Sequence, residues 1–214
     1  VRLLVFDLDG TLVDSVRDLA TAVNLALRKA APGSPPLPLG DVRAFVGDGA
    51  RVLVERSLAR AGVSLSADEV LPLFLDAYRS CLLDTTRLYP GVAEALDRLR
   101  DRSLAVLTNK PGDLSRTILE GLGVANRFAR IWGPEEATER KPRPGGLRRL
   151  AHELRVDLGE TLLVGDSPID VRTGRATGVR TVGVTYGLDP EALRAEAPDL
   201  VVGDLRELAD RLEA

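Results

Sequence analysis

Asp7 and Asp9 stand two residues apart, at the end of the apolar run Val1 to Phe6 and just before Gly10-Thr11. The run reads as a buried strand, which can deliver side chains into a crevice at the carboxyl edge of a sheet. Two carboxylates placed there repel each other unless they share a cation or a proton. Other segments bring polar groups to comparable positions: Thr108-Asn109-Lys110 after an apolar run, Lys141 just before a helix, and Asp166-Ser167-Pro168-Ile169-Asp170 after Thr161–Val164. Carboxylates and backbone oxygens are the hard donors that Mg²⁺ takes. An ionised Asp can attack phosphorus, and a second carboxyl group can protonate the leaving oxygen and then activate water. A hydroxyl, an ammonium and the amides of the Gly10-Thr11 turn can hold the phosphoryl oxygens. Histidine is not required, and the chain has one, His152. The set fits metal-assisted phosphoryl transfer through a covalent aspartate.

Each residue also has a plainer reading. Asp7 and Asp9 can belong to an Asx turn at a strand end. An Asp-x-Asp-Gly start is shared with calcium loops, but Val13, Ser15 and Leu19 stand where such a loop needs ligands. Asp166 and Asp170 can be helix N-terminal charges, favoured there by ~0.3–1 kcal/mol. Thr108 alone is an ordinary strand residue, and Lys141 alone a solvated lysine. Their occurrence together, at successive strand ends, favours the chemical reading.

The elements that position them follow from periodicity. Short apolar runs at 3–6, 104–108, 130–132, 161–164, 181–185 and 200–202 read as strands. The stretches 91–102, 112–122, 144–154, 169–177 and 190–196 read as helices. This alternation predicts an α/β fold with a Rossmann-like parallel sheet and helices on both faces. The rhythm breaks after Ser15. Val16, Leu19, Ala20, Val23 and Leu27 follow helical spacing, and 41–46, 50–61 and 67–83 give further helices. The expected organisation is a catalytic core of 1–14 and 87–214 with a small all-helical cap of 15–86 inserted after the first strand. An insert at that point is placed to act as a lid.

Composition narrows the partners. A formal charge of -3 over 214 residues gives no basic face for nucleic acid. No apolar run approaches ~18 residues, so no membrane span is expected. No signal-peptide pattern is read, and the expected compartment is the cytoplasm. The single cysteine, Cys81, excludes an internal disulfide and a Cys-based zinc cluster and reads as a packing residue. His152 reads as an exposed helix residue and Trp132 as packing at the sheet end. The expected oligomer is a monomer or homodimer.

The motifs Asp7-Leu8-Asp9-Gly10-Thr11, Thr108, Lys141 and Gly165-Asp166-Ser167-Pro168-Ile169-Asp170 resemble, in order, the four motifs of the haloacid dehalogenase superfamily of phosphohydrolases. The likeness covers essentially the whole chain, and the helical insert resembles that family's small type-one cap. The resemblance implies Asp7 as nucleophile, Asp9 as general acid/base, Thr108 as a phosphoryl ligand, and Lys141 as the charge that steadies both phosphoryl group and Asp7. It implies Mg²⁺ held by Asp7, Asp166 and the backbone carbonyl of Asp9, with Asp170 completing or supporting the metal shell.

Phe45-Val46-Gly47-Asp48-Gly49-Ala50, Leu88-Tyr89-Pro90-Gly91-Val92, Thr108-Asn109-Lys110-Pro111 and Gly183-Val184-Thr185-Tyr186-Gly187 resemble more narrowly the phosphoglycolate phosphatases. The substrate so implied is a small phosphorylated metabolite, 2-phosphoglycolate, bound with help from Gly10, Thr11, Asn109 and Lys110. The turn Gly47-Asp48-Gly49 with Arg51 either reads the substrate or leaves Asp48 as a helix cap. The carboxylate of such a substrate needs a cation, for which Arg17, Arg43, Arg51 and Lys110 are candidates. Other readings are a phosphatase, mutase or pyrophosphatase acting on a different small phosphate, and, more remotely, a phosphoacceptor signalling module.

Overall fold

The computed structural model describes residues 1–134 and 137–213. The chain divides into two compact units: an α/β unit of Val1–Asp14 and Leu88–Ala214, and a helical unit of Ser15–Arg87.

The α/β unit is built on a six-stranded sheet. Its strands are β1 (Leu3–Phe6), β2 (Ser103–Leu107), β3 (Arg130–Trp132), β4 (Thr161–Gly165), β5 (Arg180–Val184) and β6 (Leu200–Val202). The spatial order is β3-β2-β1-β4-β5-β6, and every pairing is parallel. Strand order reverses at β1, so its carboxyl end opens on the topological switch point, where such sheets bind ligands. Leu3, Leu4, Val5 and Phe6 are all fully buried, as a strand covered on both faces requires. Leu3, Val5, Ala105, Leu107 and Leu163 share one cluster with Leu147, Leu150 and Ala151 of a helix at Gly145–Glu153. Trp132 packs against that cluster and His152 is exposed, as expected. Two features go beyond the expected pattern. Val13–Asp14 and Arg87–Leu88 pair as a short two-stranded sheet, and the last helix, Leu205–Glu213, buries Leu205, Leu208 and Ala209.

The helical unit contains α1 (Val16–Ala30), α2 (Leu39–Phe45), α3 (Ala50–Ala61) and α4 (Ala67–Cys81). A capping box starts α4: the Ser66 N–H donates to Glu69 Oε2 at 2.8 Å, and the Glu69 N–H returns to Ser66 Oγ. Asp18 on α1 is buried and holds the segment after α4. It accepts the Thr86 N–H and Oγ1–H, both at 2.7 Å, and the Thr85 N–H and Oγ1–H, the latter at 2.6 Å. These bonds outweigh burial and hold its carboxyl below the usual carboxylate range. Cys81 is buried in the same unit, and burial pushes its thiol up to about 11, in keeping with a packing role.

Replacing Asp18 by Ala leaves two backbone donors without their acceptor. The expected loss is about 2–4 kcal/mol, read as a lower urea midpoint at neutral pH. A midpoint within error of wild type would contradict this account of the helical unit.

Candidate functional site

Three strand ends deliver the central residues. Asp7 follows β1, and its N–H still bonds Val164 O on β4 at 2.9 Å. Thr108 follows β2 and donates its N–H to Trp132 O on β3 at 3.1 Å. Asp166 follows β4, and Asp170 comes from the first turn of the helix Pro168–Thr177. The carboxylates of Asp7, Asp166 and Asp170 converge, with one oxygen from each within 4.8 Å of the others, and all three side chains are buried.

Lys141 lies among them. Its Nζ is 2.8 Å from Asp7 Oδ1 and 2.6 Å from Asp170 Oδ1. Burial opposes the charge on Lys141, but Asp170 and Asp7 outweigh it and the net shift is upward. The Asn109 side chain grips the backbone that carries this lysine. Its Nδ2–H donates to Lys141 O at 3.0 Å, and the Lys141 N–H donates to Asn109 Oδ1 at 2.9 Å. The amide of Asn109, expected at the substrate, is thus turned to the lysine and positions it. Asp170 is steadied on its other oxygen by the Ser167 N–H at 3.2 Å and the Ser167 hydroxyl at 2.6 Å.

The turn after Asp7 departs from expectation in detail. The sequence offers the amides of the Gly10-Thr11 turn as groups that can help hold phosphoryl oxygens. The Gly10 N–H instead bonds Val13 O at 2.9 Å, and the Thr11 N–H bonds Leu8 O at 3.3 Å. The turn closes on itself because Gly10 adopts φ +89°. A Cβ on Gly10 would also lie 2.1 Å from Asp166 Oδ2, so no larger residue fits. Thr11 serves Asp166 with its hydroxyl, which donates to Oδ1 at 3.0 Å.

Leu188 was not anticipated. Its N–H donates to Asp166 Oδ2 at 2.8 Å, and Gly187 packs so closely that a Cβ there would lie 2.2 Å from Asp166 Cβ. Tyr186 ties the same loop to the Asp7 turn by donating its OH to Thr11 O at 2.7 Å. The sequence signal was the run Gly183–Gly187, noted only as a family likeness.

Asp9 is set apart from the acidic cluster. Its Oδ2 lies 3.1 Å from Lys110 Nζ, and both side chains are largely buried. The Lys110 N–H also donates to Thr108 Oγ1 at 3.2 Å. The remaining candidates belong to the helical unit. Asp48 does not cap α3: Gly49 does, without a side-chain bond, and Asp48 pairs with Arg56 at 2.7 Å. Arg51 bonds Glu55 at 3.0 Å and also pairs with Asp68.

Electrostatics set what this arrangement can do. Burial pushes the Asp7 carboxyl up to about 6; the Lys141 ammonium pulls it down, and the Asp170 charge adds to the rise. Burial also drives Asp166 well above the carboxylate range, with Asp170 and Asp7 adding to the effect. Asp7, Asp9, Asp166 and Asp170 face Lys110 and Lys141, which leaves two negative charges in excess when all are ionised. A divalent cation among hard carboxylate oxygens matches that excess. The donor set therefore fits Mg²⁺, with Asp7, Asp166 and Asp170 as the side chains able to hold it.

A model of the haloacid dehalogenase-like hydrolase family matches residues 4–184. The chain is 41% identical over 216 residues to a phosphoglycolate phosphatase of Pseudomonas putida, covering 97% of this chain and 78% of that protein. A phosphoglycolate phosphatase of Vibrio parahaemolyticus is 37% identical over 220 residues, covering 98% and 95%. Among solved structures, a predicted phosphoglycolate phosphatase from Haemophilus somnus superposes with a TM-score of 0.91 at 32% identity, covering 99% of this chain and 97% of that one.

A carboxyl group whose pKa is raised by folding destabilises the native state as pH climbs above the ordinary value of 3.8. Asp166→Asn removes that penalty. In EDTA, the stability of D166N relative to wild type is expected to grow between pH 4.5 and pH 7.5, followed by urea unfolding. A difference that is flat or shrinks with pH would show that Asp166 is not held against its charge.

Proposed function

The chain belongs to the haloacid dehalogenase-like hydrolase family, and from that premise we propose that it hydrolyses 2-phosphoglycolate through an aspartyl-phosphate on Asp7. The observation that carries the mechanism is the Lys141 ammonium bound to Asp7 at 2.8 Å and Asp170 at 2.6 Å. A carboxylate must be ionised to attack, and burial works against ionisation here. The lysine counters burial at the attacking residue itself. The substrate follows the names of the relatives from Pseudomonas putida and Vibrio parahaemolyticus.

In the proposed sequence, an Asp7 oxygen attacks phosphorus in line with the leaving oxygen. Asp9 gives its proton to that oxygen as the P–O bond breaks. The Thr108 hydroxyl, with its N–H tied to β3, holds a phosphoryl oxygen, and Lys141 balances the charge gathering there. Water then enters, Asp9 takes its proton, and the aspartyl-phosphate is cleaved to free Asp7 and phosphate. Mg²⁺ held by Asp7, Asp166 and Asp170 would neutralise phosphoryl charge and fix the group's orientation. Thr11, Leu188 and Ser167 keep the carboxylates in place. The helical unit, spliced into the chain directly after the β1 turn, takes the role of a cap that selects the substrate.

Asp7→Asn should lower kcat by at least about a thousandfold with 2-phosphoglycolate and Mg²⁺, and EDTA should abolish wild-type turnover. Asp9→Asn should slow poor leaving groups most, because only they need the proton. Turnover by D7N near that of wild type would overturn the nucleophile. A panel in which sugar phosphates, pyrophosphate or nucleoside monophosphates exceed 2-phosphoglycolate in kcat/KM would overturn the substrate and leave the hydrolase standing.

A further inference from the structure

Lys141 serves the attacking end of the site, whereas the mechanism above gives Lys110 no task. The chain contains three lysines, and these two are buried in the site. The Lys110 side chain is 5% exposed, and its Nζ is directed at Asp9 Oδ2, 3.1 Å away. Such an ammonium has lost most of its water and is stable only against an anion.

Its position is fixed from several sides. Thr108 receives the Lys110 N–H, and Thr108 is itself anchored to Trp132 O on β3. The next residue along from Trp132, Gly133, packs on the Lys110 peptide. A Cβ there would lie 2.4 Å from Lys110 O and 2.6 Å from Gly112 N, so the segment after β3 seats against this peptide only as glycine. Lys110 is therefore a pre-placed charge.

Asp9 meets the leaving oxygen in the proposed reaction, and Lys110 Nζ, 3.1 Å from Asp9 Oδ2, is the cation beside that acid. We infer that Lys110 is a specificity-determining residue that binds a carboxylate carried on the carbon next to the leaving oxygen. This rests on the proposed phosphatase reading. A glycolate fragment holds its carboxylate two bonds from the oxygen that Asp9 protonates, so one ammonium can reach both groups. An alkyl fragment presents no anion to it, and Lys110 then keeps only its contact with Asp9. Selection comes from the ion pair that the acid-bearing substrate makes and the neutral one cannot.

The test compares kcat/KM for 2-phosphoglycolate and for ethyl phosphate, which lacks the carboxylate, using the full chain with Mg²⁺. In Lys110→Met the ratio of the two is expected to fall by about ten- to a hundredfold, the worth of a charged hydrogen bond. Inhibition by free glycolate should weaken in parallel, and Lys110→Arg should restore part of the ratio. Equal losses on both substrates would overturn the inference, because Lys110 would then act only through Asp9; an unchanged ratio would overturn it too. If K110M does not give a folded chain by circular dichroism, K110Q carries the same comparison. A wild-type enzyme with no preference for 2-phosphoglycolate over ethyl phosphate overturns the substrate reading and this inference together. A wild-type preference that survives in K110M overturns the role of Lys110 alone.

Discussion

The contact on which the rest depends is the Lys141 ammonium between Asp7 and Asp170. Two like charges about 4 Å apart repel by roughly 4 kcal/mol at an effective dielectric constant of 20. Three buried carboxylates make three such pairs, a total comparable to the whole net stability of a domain, about 5–15 kcal/mol. The sheet can bring these acids together only with positive charge or a shared proton among them. One lysine supplies part of it, and the remaining excess is what makes the cluster suited to a divalent cation.

The supporting bonds can be read from that constraint. The carboxylates are held by donors from several parts of the α/β unit: Asp166 by Thr11 and Leu188, Asp170 by Ser167 and Lys141, and Asp7 by the same Lys141. Asn109 holds the lysine by its backbone, leaving the ammonium free to bridge. Asp9 lies outside this arrangement with its own lysine. The two acids of the Asp7-Leu8-Asp9 motif are thus held by two different lysines, Asp7 by Lys141 and Asp9 by Lys110.

Much of this was legible in the chain. β1 was readable because four consecutive apolar residues suit a strand covered on both faces. The family likeness rested on residues clustered at strand ends, where local sequence keeps its motifs contiguous. The last helix was missed because Arg206, Glu207, Asp210, Arg211 and Glu213 outnumber its buried Leu205, Leu208 and Ala209. The pairing of 13–14 with 87–88 is too short to show a period. The positioning bonds were also hidden, since Thr11 and Asp166 stand 155 positions apart and their relation exists only after folding. The resemblance over Thr108-Asn109-Lys110-Pro111 implies Asn109 at the substrate. Spacing could not show that its partner would be the backbone of Lys141.

The place of β1 in the sheet has a consequence for how the protein is made. Leu3 pairs with Ser103 on one side and Thr161 on the other, so β1 gains both neighbours only after about 100 and then about 160 further residues have been made. Such long-range pairings close slowly, because chain entropy must be lost before any contact offsets it. Asp7 thus waits, across the whole helical unit, for Lys141 and then Asp166 to be made. A chain stopped before β4 already holds Asp7, Asp9, Thr108 and Lys141 but lacks Asp166 and Asp170, so its acidic cluster stays incomplete until the sheet can close.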